Sequence, residues 1–98
     1  MPAYLIVTRE GPLQDPAAME TYTGLLRSDR PQVAAQPSPL VIHGNTVSLE
    51  GSEPESVIVL QFPSLETAKA WYDSPEYQAA LVHRKKAANF RAFIVEGI

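Results

Sequence analysis

The stretch Val57-Ile58-Val59-Leu60-Gln61-Phe62 decides the fold of this 98-residue chain. Its apolar residues occupy odd and even positions alike, which predicts a strand with both faces buried. A polar turn, 51–55, precedes it, and Pro63 follows it. A strand of this kind needs a covering layer on each side of its sheet.

The residues that follow predict two helices and a closing strand. Ser64 is a helix N-cap, and the inward positions of that helix are Leu65, Ala68, Trp71 and Tyr72. Ser74-Pro75-Glu76 supplies a new cap, a proline at the first helical position and an acid in the first turn. It predicts a third helix to about Ala88, one face of which carries Tyr77, Leu81, Arg84 and Ala88. Phe90–Glu96 predicts the last strand.

The residues before the central stretch predict a strand, a helix and a second strand. Ala3–Arg9 is a strand ended by Gly11-Pro12. Asp15 and Pro16 begin a helix that ends near Arg30, and its inward face carries Met19, Tyr22 and Leu26, with Leu25 beside them. Three prolines between residues 31 and 39 favour an extended loop over a helix.

The segment Leu40–Glu50 predicts a long second strand interrupted at Gly44-Asn45. These two residues suit either a tight hairpin or a bulge within one strand. We favour the bulge, because the arms of a hairpin would be only about four residues long. A bulge would also place Leu40 and Ile42 on the same face as Val47 and Leu49.

The order of elements predicts an α+β domain, 1–98, with the ferredoxin-like βαββαβ arrangement. Its four strands form one antiparallel sheet with the helices on one face. The third and fourth strands have apolar residues at both odd and even positions, so the face of the sheet without helices would expose a large hydrophobic surface. We therefore expect a homodimer in which two sheets pack face to face around a two-fold axis.

The composition of the chain limits the kinds of partner that it is expected to bind. Eight Lys and Arg against eleven Asp and Glu give a formal net charge of −3, which argues against nucleic acid as a partner. The chain has no cysteine and two histidines, so a metal site is not expected. No stretch approaches the length of a membrane span and no targeting segment is evident, so we expect a cytoplasmic protein. The sequence also has no phosphate loop and no Ser or Cys nucleophile motif, and we expect no cofactor.

From Leu49 onward the chain resembles the bacterial DUF1330 family, a branch of the dimeric α/β-barrel superfamily. The most specific match is Trp71-Tyr72-Asp73-Ser74-Pro75-Glu76-Tyr77, and further matches are Leu49-Glu50-Gly51, Phe62-Pro63-Ser64, Arg84 and Val95-Glu96-Gly97. Asp15-Pro16 and Tyr22 match the first helix of the family. The resemblance implies the ferredoxin-like fold and the dimer. It implies little about chemistry, because the superfamily includes cofactor-free monooxygenases, cyclases, dehydratases and isomerase-like enzymes, as well as members without known activity.

Two departures from the family pattern concern its charged positions. Residues 33–39 replace a Gly-Gly turn followed by a basic residue, which predicts a differently shaped loop. Gln61 stands where an acid is common, and His43 stands where arginine is common. We therefore transfer no role from that acid and arginine to this chain.

His43 and Glu50 are the candidate catalytic residues. Histidine is the side chain best suited to exchanging protons near neutral pH, although a lone histidine beside a bulge is more often an ordinary edge residue. Glu50 would act as a base or, equally well, accept a hydrogen bond from the turn at Gly51.

The candidate substrate-binding residues are Tyr22, Trp71, Tyr72, Tyr77 and Arg84. The aromatic residues would form the walls of a pocket between helices and sheet, or else ordinary core. Arg84 faces inward if Tyr77 does, and a semi-buried arginine needs an anion. Glu50, Asp73 or the carboxylate of a ligand would supply it, and a structural ion pair is the favoured interpretation.

Two functional hypotheses follow. The first is a dimeric, cofactor-free enzyme of small molecules, of the isomerase, cyclase, lyase or monooxygenase type. In it His43 or Glu50 moves a proton, and Tyr22, Tyr72 and Arg84 orient the substrate. The second is a non-catalytic homodimer that binds a small molecule or has a structural role. A solvent-reachable cavity next to these side chains would favour the enzyme.

Overall fold

The computed structural model describes residues 1–98 and contains seven regular elements. In chain order they are β1 (Ala3–Glu10), α1 (Pro16–Ser28), β2 (Ser38–Ile42), β3 (Ser56–Phe62), α2 (Leu65–Asp73), α3 (Pro75–Ala87) and β4 (Asn89–Glu96). The strands form one antiparallel sheet in the order β2-β3-β1-β4. This is the predicted ferredoxin-like βαββαβ arrangement, in which α2 and α3 together occupy the place of the second helix.

The helices begin where short polar side chains cap their free N–H groups. Asp15 accepts a hydrogen bond from the backbone N–H of Ala18 at 3.1 Å, and Pro16 occupies the first turn of α1. Ser64 and Thr67 form a reciprocal capping box on α2. The buried Ser74 hydroxyl accepts from the N–H of Tyr77 at 3.2 Å and donates to the carbonyl of Trp71 at 2.8 Å, so one side chain joins α2 to α3.

The core lies between the helices and one face of the sheet. Ala3, Leu5 and Val7 alternate along β1 and are almost fully buried, and the β3 residues opposite them are Phe62, Leu60 and Ile58. Helix α2 packs directly on β1, β3 and β4, whereas α1 packs mainly along α3. The α1–α3 pair therefore stands away from the sheet, and side chains fill only part of the space beneath it. None of the helices combines the length and apolarity needed to cross a lipid bilayer.

The second strand differs from its prediction. It ends at Ile42 rather than Glu50, and residues 43–55 form an irregular loop in which Val47 and Leu49 are more than four-fifths exposed. The register shift lies between Pro39 and Val41, not at Gly44-Asn45. Pro39 has no N–H to donate to the neighbouring strand, which accounts for the irregularity there. His43 then adopts a positive φ of 53° and turns the chain out of the sheet.

The opposite face of the sheet has no covering layer within the chain, whose Cα atoms span only 16 Å in the thinnest direction. Its central residue is Ile6, which pairs with Val59 on one side and Phe93 on the other. The apolar residues of this outer sheet face are Ile6, Val41, Val57, Val59, Phe93 and Val95. Phe93 and Val95 are 48% and 44% exposed. Both parities of β3 and β4 are apolar, as the sequence indicates, but only one parity is covered inside the chain.

Candidate functional site

A cavity of about 390 Å³ lies between the α1–α3 pair and the sheet. Its apolar walls come from β1 and β3 below and from α1 above, and include Leu5, Val7, Ile58, Leu60, Met19 and Leu26. The polar and aromatic side chains lining it include Tyr22, Trp71, Tyr77, Arg84 and His43, which are five of the seven predicted site residues. Because the exposed residues Arg30 and His43 also line it, the cavity opens to the surface. Its volume lies in the range of small-molecule sites.

Tyr22 and Tyr77 meet at the helix side of the cavity. Their hydroxyl oxygens are 2.8 Å apart and hydrogen-bonded, although the residues are 55 positions apart in sequence. Their rings pack edge to face, with centroids 6.2 Å apart. Burial raises the pKa of both hydroxyls above 10.0, and the nearby Arg84 charge offsets this only in part. Both tyrosines are therefore neutral donors or acceptors at physiological pH.

The tyrosine pair gives a stability prediction. Tyr77→Phe leaves the buried Tyr22 hydroxyl without its partner and is expected to lower the free energy of unfolding by about 1–2 kcal/mol. The double variant Tyr22→Phe/Tyr77→Phe should lose less than the sum of the two single variants, because the second substitution removes the unpaired group. Urea denaturation measures each value. Tyr72→Phe is the control, expected within about 0.5 kcal/mol of wild type, and additive losses in the double variant would contradict the pairing.

The same pair predicts alkaline sensitivity. Above pH 10 the unfolded tyrosines lose protons while the folded pair keeps them, because the folded pKa of each is raised. Unfolding is then favoured by about 1.4 kcal/mol per pH unit for each tyrosine. This contribution to stability is fully present below pH 10 and is lost as the pH rises toward the folded pKa. The double phenylalanine variant should show a shallower loss between pH 10 and 11.5 in the same denaturation experiment.

Arg84 is the charged side chain within the core, and it is only 4% exposed. Its Nε atom is buried and has no hydrogen-bond partner. The guanidinium carbon lies 5.1 Å from the ring centre of Phe90 and 5.9 Å from that of Tyr22. Aromatic rings stabilise a cation, but they do not accept its N–H groups as a carboxylate does.

The favoured structural ion pair of Arg84 is not formed, and that interpretation was wrong. Asp73 instead pairs with Lys69 on the surface of α2 at 2.7 Å. Glu50 is exposed in the loop after β2 and does not line the cavity. The sequence places Asp73 near Arg84 along the chain, but Asp73 is exposed on the surface whereas Arg84 is buried.

His43 lies at the mouth of the cavity, at the end of β2 rather than within a longer strand. Its backbone N–H donates to the carbonyl of Val57 at 3.0 Å, and its side-chain Nδ1 is hydrogen-bonded to the Ser56 hydroxyl. The left-handed backbone at this position is one that histidine adopts more readily than most residues. The imidazole is thus held against β3 while its Nε2 atom makes no hydrogen bond within the chain.

Trp71 and Tyr72 are adjacent in sequence but differ in burial and in their position relative to the cavity. Trp71 is buried, lines the cavity and stacks on Tyr77 with ring centres 4.3 Å apart. Tyr72 is half-buried and packs on Tyr77 from outside the cavity, at 5.4 Å between ring centres. Leu65, predicted to face inward, is 43% exposed. The structure therefore separates Tyr72 and Glu50 from the other five candidates.

The sequence did not point to the loop between α1 and β2 as part of the site. Arg30, Pro31, Gln36 and Pro37 of this loop line the cavity. Glu76 on α3 anchors the loop by accepting a hydrogen bond from the backbone N–H of Gln32 at 3.0 Å. The prolines indicated an extended segment, but its position over the cavity depends on this contact between distant residues. No group of three or more His, Cys, Asp or Glu side chains is arranged to hold a metal ion.

These features define a class: an α+β domain of ferredoxin-like fold with a small-molecule-sized cavity between its helices and its sheet. The chain belongs to the DUF1330 family, described as a domain of unknown function, whose model matches residues 2–98. The resemblance carried by the Trp71–Tyr77 motif is thereby confirmed. The comparison with curated proteins gave no match.

Solved structures confirm the fold. A protein of the ethyl tert-butyl ether degradation (EthD) family from Bacillus halodurans is 18% identical, with 100% of both chains covered and a TM-score of 0.62. A dimeric ferredoxin-like protein of unknown function from Thermobifida fusca is 17% identical, with 97% of this chain and 90% of the other covered and a TM-score of 0.59. A dimeric protein of ferredoxin-like fold from Bacteroides fragilis is 16% identical, with 98% and 96% covered and a TM-score of 0.57.

Proposed function

We propose that this chain is a cofactor-independent enzyme that binds a small organic molecule in the cavity and moves a proton on it through His43. The observation that carries the proposal is the convergence of His43, Arg84 and the Tyr22–Tyr77 pair on one cavity that opens to the surface. Isomerases, cyclases, lyases and cofactor-free monooxygenases all include enzymes whose reaction begins with such a proton transfer. A cytoplasmic location remains part of the proposal.

The proposed proton transfer uses the two nitrogens of one imidazole. In the tautomer in which Nδ1–H donates to Ser56, Nε2 carries the lone pair and accepts a proton from a carbon or hydroxyl of the substrate. The protonated imidazole, which is exposed to solvent, exchanges its proton with water and then returns a proton to the substrate. Inside the cavity the Arg84 guanidinium and the tyrosine hydroxyls are the groups that stabilise negative charge on a substrate oxygen. Glu50, which lies away from the cavity, has no part in this step.

We also propose that two copies of the chain pair through the outer sheet face. Its apolar residues occupy all four strands, and a contiguous surface of this kind is rare on a monomer. The related folds from Thermobifida fusca and Bacteroides fragilis are described as dimeric. The cavity lies on the opposite face of the sheet, so pairing leaves it accessible.

A non-catalytic binding domain is the second candidate. The observation that favours it is the exposure of His43 together with the absence of any carboxylate from the lining of the cavity. Under this hypothesis Arg84 and the tyrosines hold a ligand, and the imidazole only contributes to the rim.

Deuterium exchange separates the two candidates. The dimeric protein is incubated in D₂O with small dicarbonyl and keto acid compounds, and the replacement of C–H by C–D is followed by NMR. We expect catalysed exchange with wild type and a loss of about 100-fold or more with His43→Gln. His83→Gln is the matched control, because His83 lies on α3 outside the cavity and should exchange as wild type does. Equal exchange by His43→Gln and wild type would overturn the catalytic role, and binding without exchange would support the second candidate.

A further inference from the structure

We infer that the ligand of the cavity is a small monocarboxylic acid with an apolar body, held by its carboxylate on Arg84; this inference rests on the proposed binding function. Arg84 is 4% exposed, its Nε has no partner, and its side chain lines the cavity. An arginine stays charged in proteins, so its burial without an anionic partner is unfavourable until an anion reaches it. No residue of the chain supplies that anion.

The charged residues around the cavity also favour an anionic ligand. Its lining includes Arg84, Arg30 and His43, whereas no lining residue is Asp or Glu. This is notable in a chain whose formal net charge is −3. The cavity therefore presents positive groups on a negatively charged protein, which favours the entry of an anion over that of a neutral or cationic molecule.

The walls determine which anion fits. Most of the surface facing the cavity is aliphatic or aromatic, with Leu5 and Leu60 on the sheet side and Phe90 next to Arg84. A phosphate or sulfate group carries more charge and more acceptor oxygens than one buried guanidinium satisfies, and it needs several donors. A carboxylate matches the planar fork of one arginine with two parallel hydrogen bonds, and an alkyl or phenyl body fills the apolar remainder.

Matched pairs of probes test the inference by calorimetric titration of the dimeric protein. The pairs are hexanoate with hexanol, benzoate with benzyl alcohol, and 3-phenylpropanoate with 3-phenylpropanol. We expect at least one carboxylate to bind about 10- to 100-fold more tightly than its alcohol. Arg84→Met should abolish this preference, and Arg84→Lys, which keeps the charge but loses the fork, should retain only part of it. Lys85→Met removes an exposed charge from the same helical turn and should leave the preference unchanged.

The other possible results of these titrations test different parts of the proposal. Equal binding of acid and alcohol by wild type would overturn the inference while leaving the proposed binding function intact. Tighter binding of inorganic phosphate than of any carboxylate would overturn the assigned ligand class. Absence of binding by both members of all three pairs would count against the binding cavity itself and hence against the proposed function. If Arg84→Met still preferred the carboxylates over the alcohols, the anion would bind at a residue other than Arg84.

Discussion

Arg84→Met is expected to raise the free energy of unfolding of the ligand-free protein by about 1–3 kcal/mol while removing its anion site. The Arg84 side chain is 4% exposed, and its buried Nε atom is without a hydrogen bond. Replacing even well-paired buried charges by apolar side chains of similar volume is often neutral or stabilising. An unpaired charge should benefit more, because no Coulombic partner is lost.

Two contacts oppose this gain. The rings of Tyr22 and Phe90 lie 5.9 and 5.1 Å from the guanidinium carbon, and each contributes about 0.5–2 kcal/mol of cation–π attraction. Methionine recovers part of this energy, because its flexible thioether packs well against aromatic rings. The desolvation of an unpaired charge is several kcal/mol, so the balance favours the substitution. Binding sites typically contain groups of this kind, which lower the stability of the protein in the absence of ligand.

Urea denaturation of wild type and Arg84→Met in the absence of ligand measures this effect. Lys85→Met is the control, because it removes a positive charge from the exposed side of the same helix and is expected to stay within about 0.5 kcal/mol of wild type. A loss of more than about 1 kcal/mol in Arg84→Met, with Lys85→Met unchanged, would mean that Arg84 is a structural residue. The carboxylate site proposed for it would then lose its energetic basis.

Val59→Lys is expected to convert the proposed dimer into monomers at micromolar concentration. Val59 lies on the central strand β3, on the outer sheet face, between Ile6 and Val41. In a face-to-face dimer the substitution would bury an unpaired ammonium group from each copy. Burying an uncompensated charge costs about 3–5 kcal/mol, which corresponds to a dissociation constant raised by about 100-fold or more.

Sedimentation velocity at several concentrations measures the association, and circular dichroism verifies that the variant is folded. Val82→Lys is the matched control, since Val82 is 53% exposed on α3 and its substitution should leave the proposed dimer intact. Val95→Lys, on the same outer face but 44% exposed in the single chain, provides a second test if Val59→Lys does not fold. A wild-type protein that sediments as a monomer at micromolar concentration would overturn the proposed pairing.

Much of the fold was predictable because the signals are local. Helix starts were indicated by Asp15, Ser64 and Ser74, each of which caps free N–H groups within three residues of itself. The alternation along β1 and the apolar runs of β3 and β4 identified strands for the same reason. With four strands and helices in this order, few arrangements other than the ferredoxin-like sheet remain.

The prediction of β2 was wrong because its pattern is ambiguous. Apolar residues alternate again at Val47 and Leu49 after the interruption at Gly44-Asn45, so the sequence favoured a strand up to Glu50. The structure ends the strand at Ile42, because His43 adopts a left-handed backbone and turns the chain out of the sheet, so that residues 44–50 pair with no strand. A strand requires a partner for its backbone groups, and the pattern of side chains does not show whether one is present.

The sequence by itself determined the order of the elements, the inward parity of each strand and the placement of Tyr77 and Arg84 on one face of α3. Only the tertiary structure decided that Tyr22 meets Tyr77, that Arg84 has no carboxylate, and that Tyr72 and Glu50 lie outside the cavity. The physical reason is the range of the interactions. Caps and periodicity act over a few residues, whereas a cavity and its unpaired charge arise from contacts between segments distant in sequence, such as those of Tyr22 and Tyr77, which are 55 residues apart.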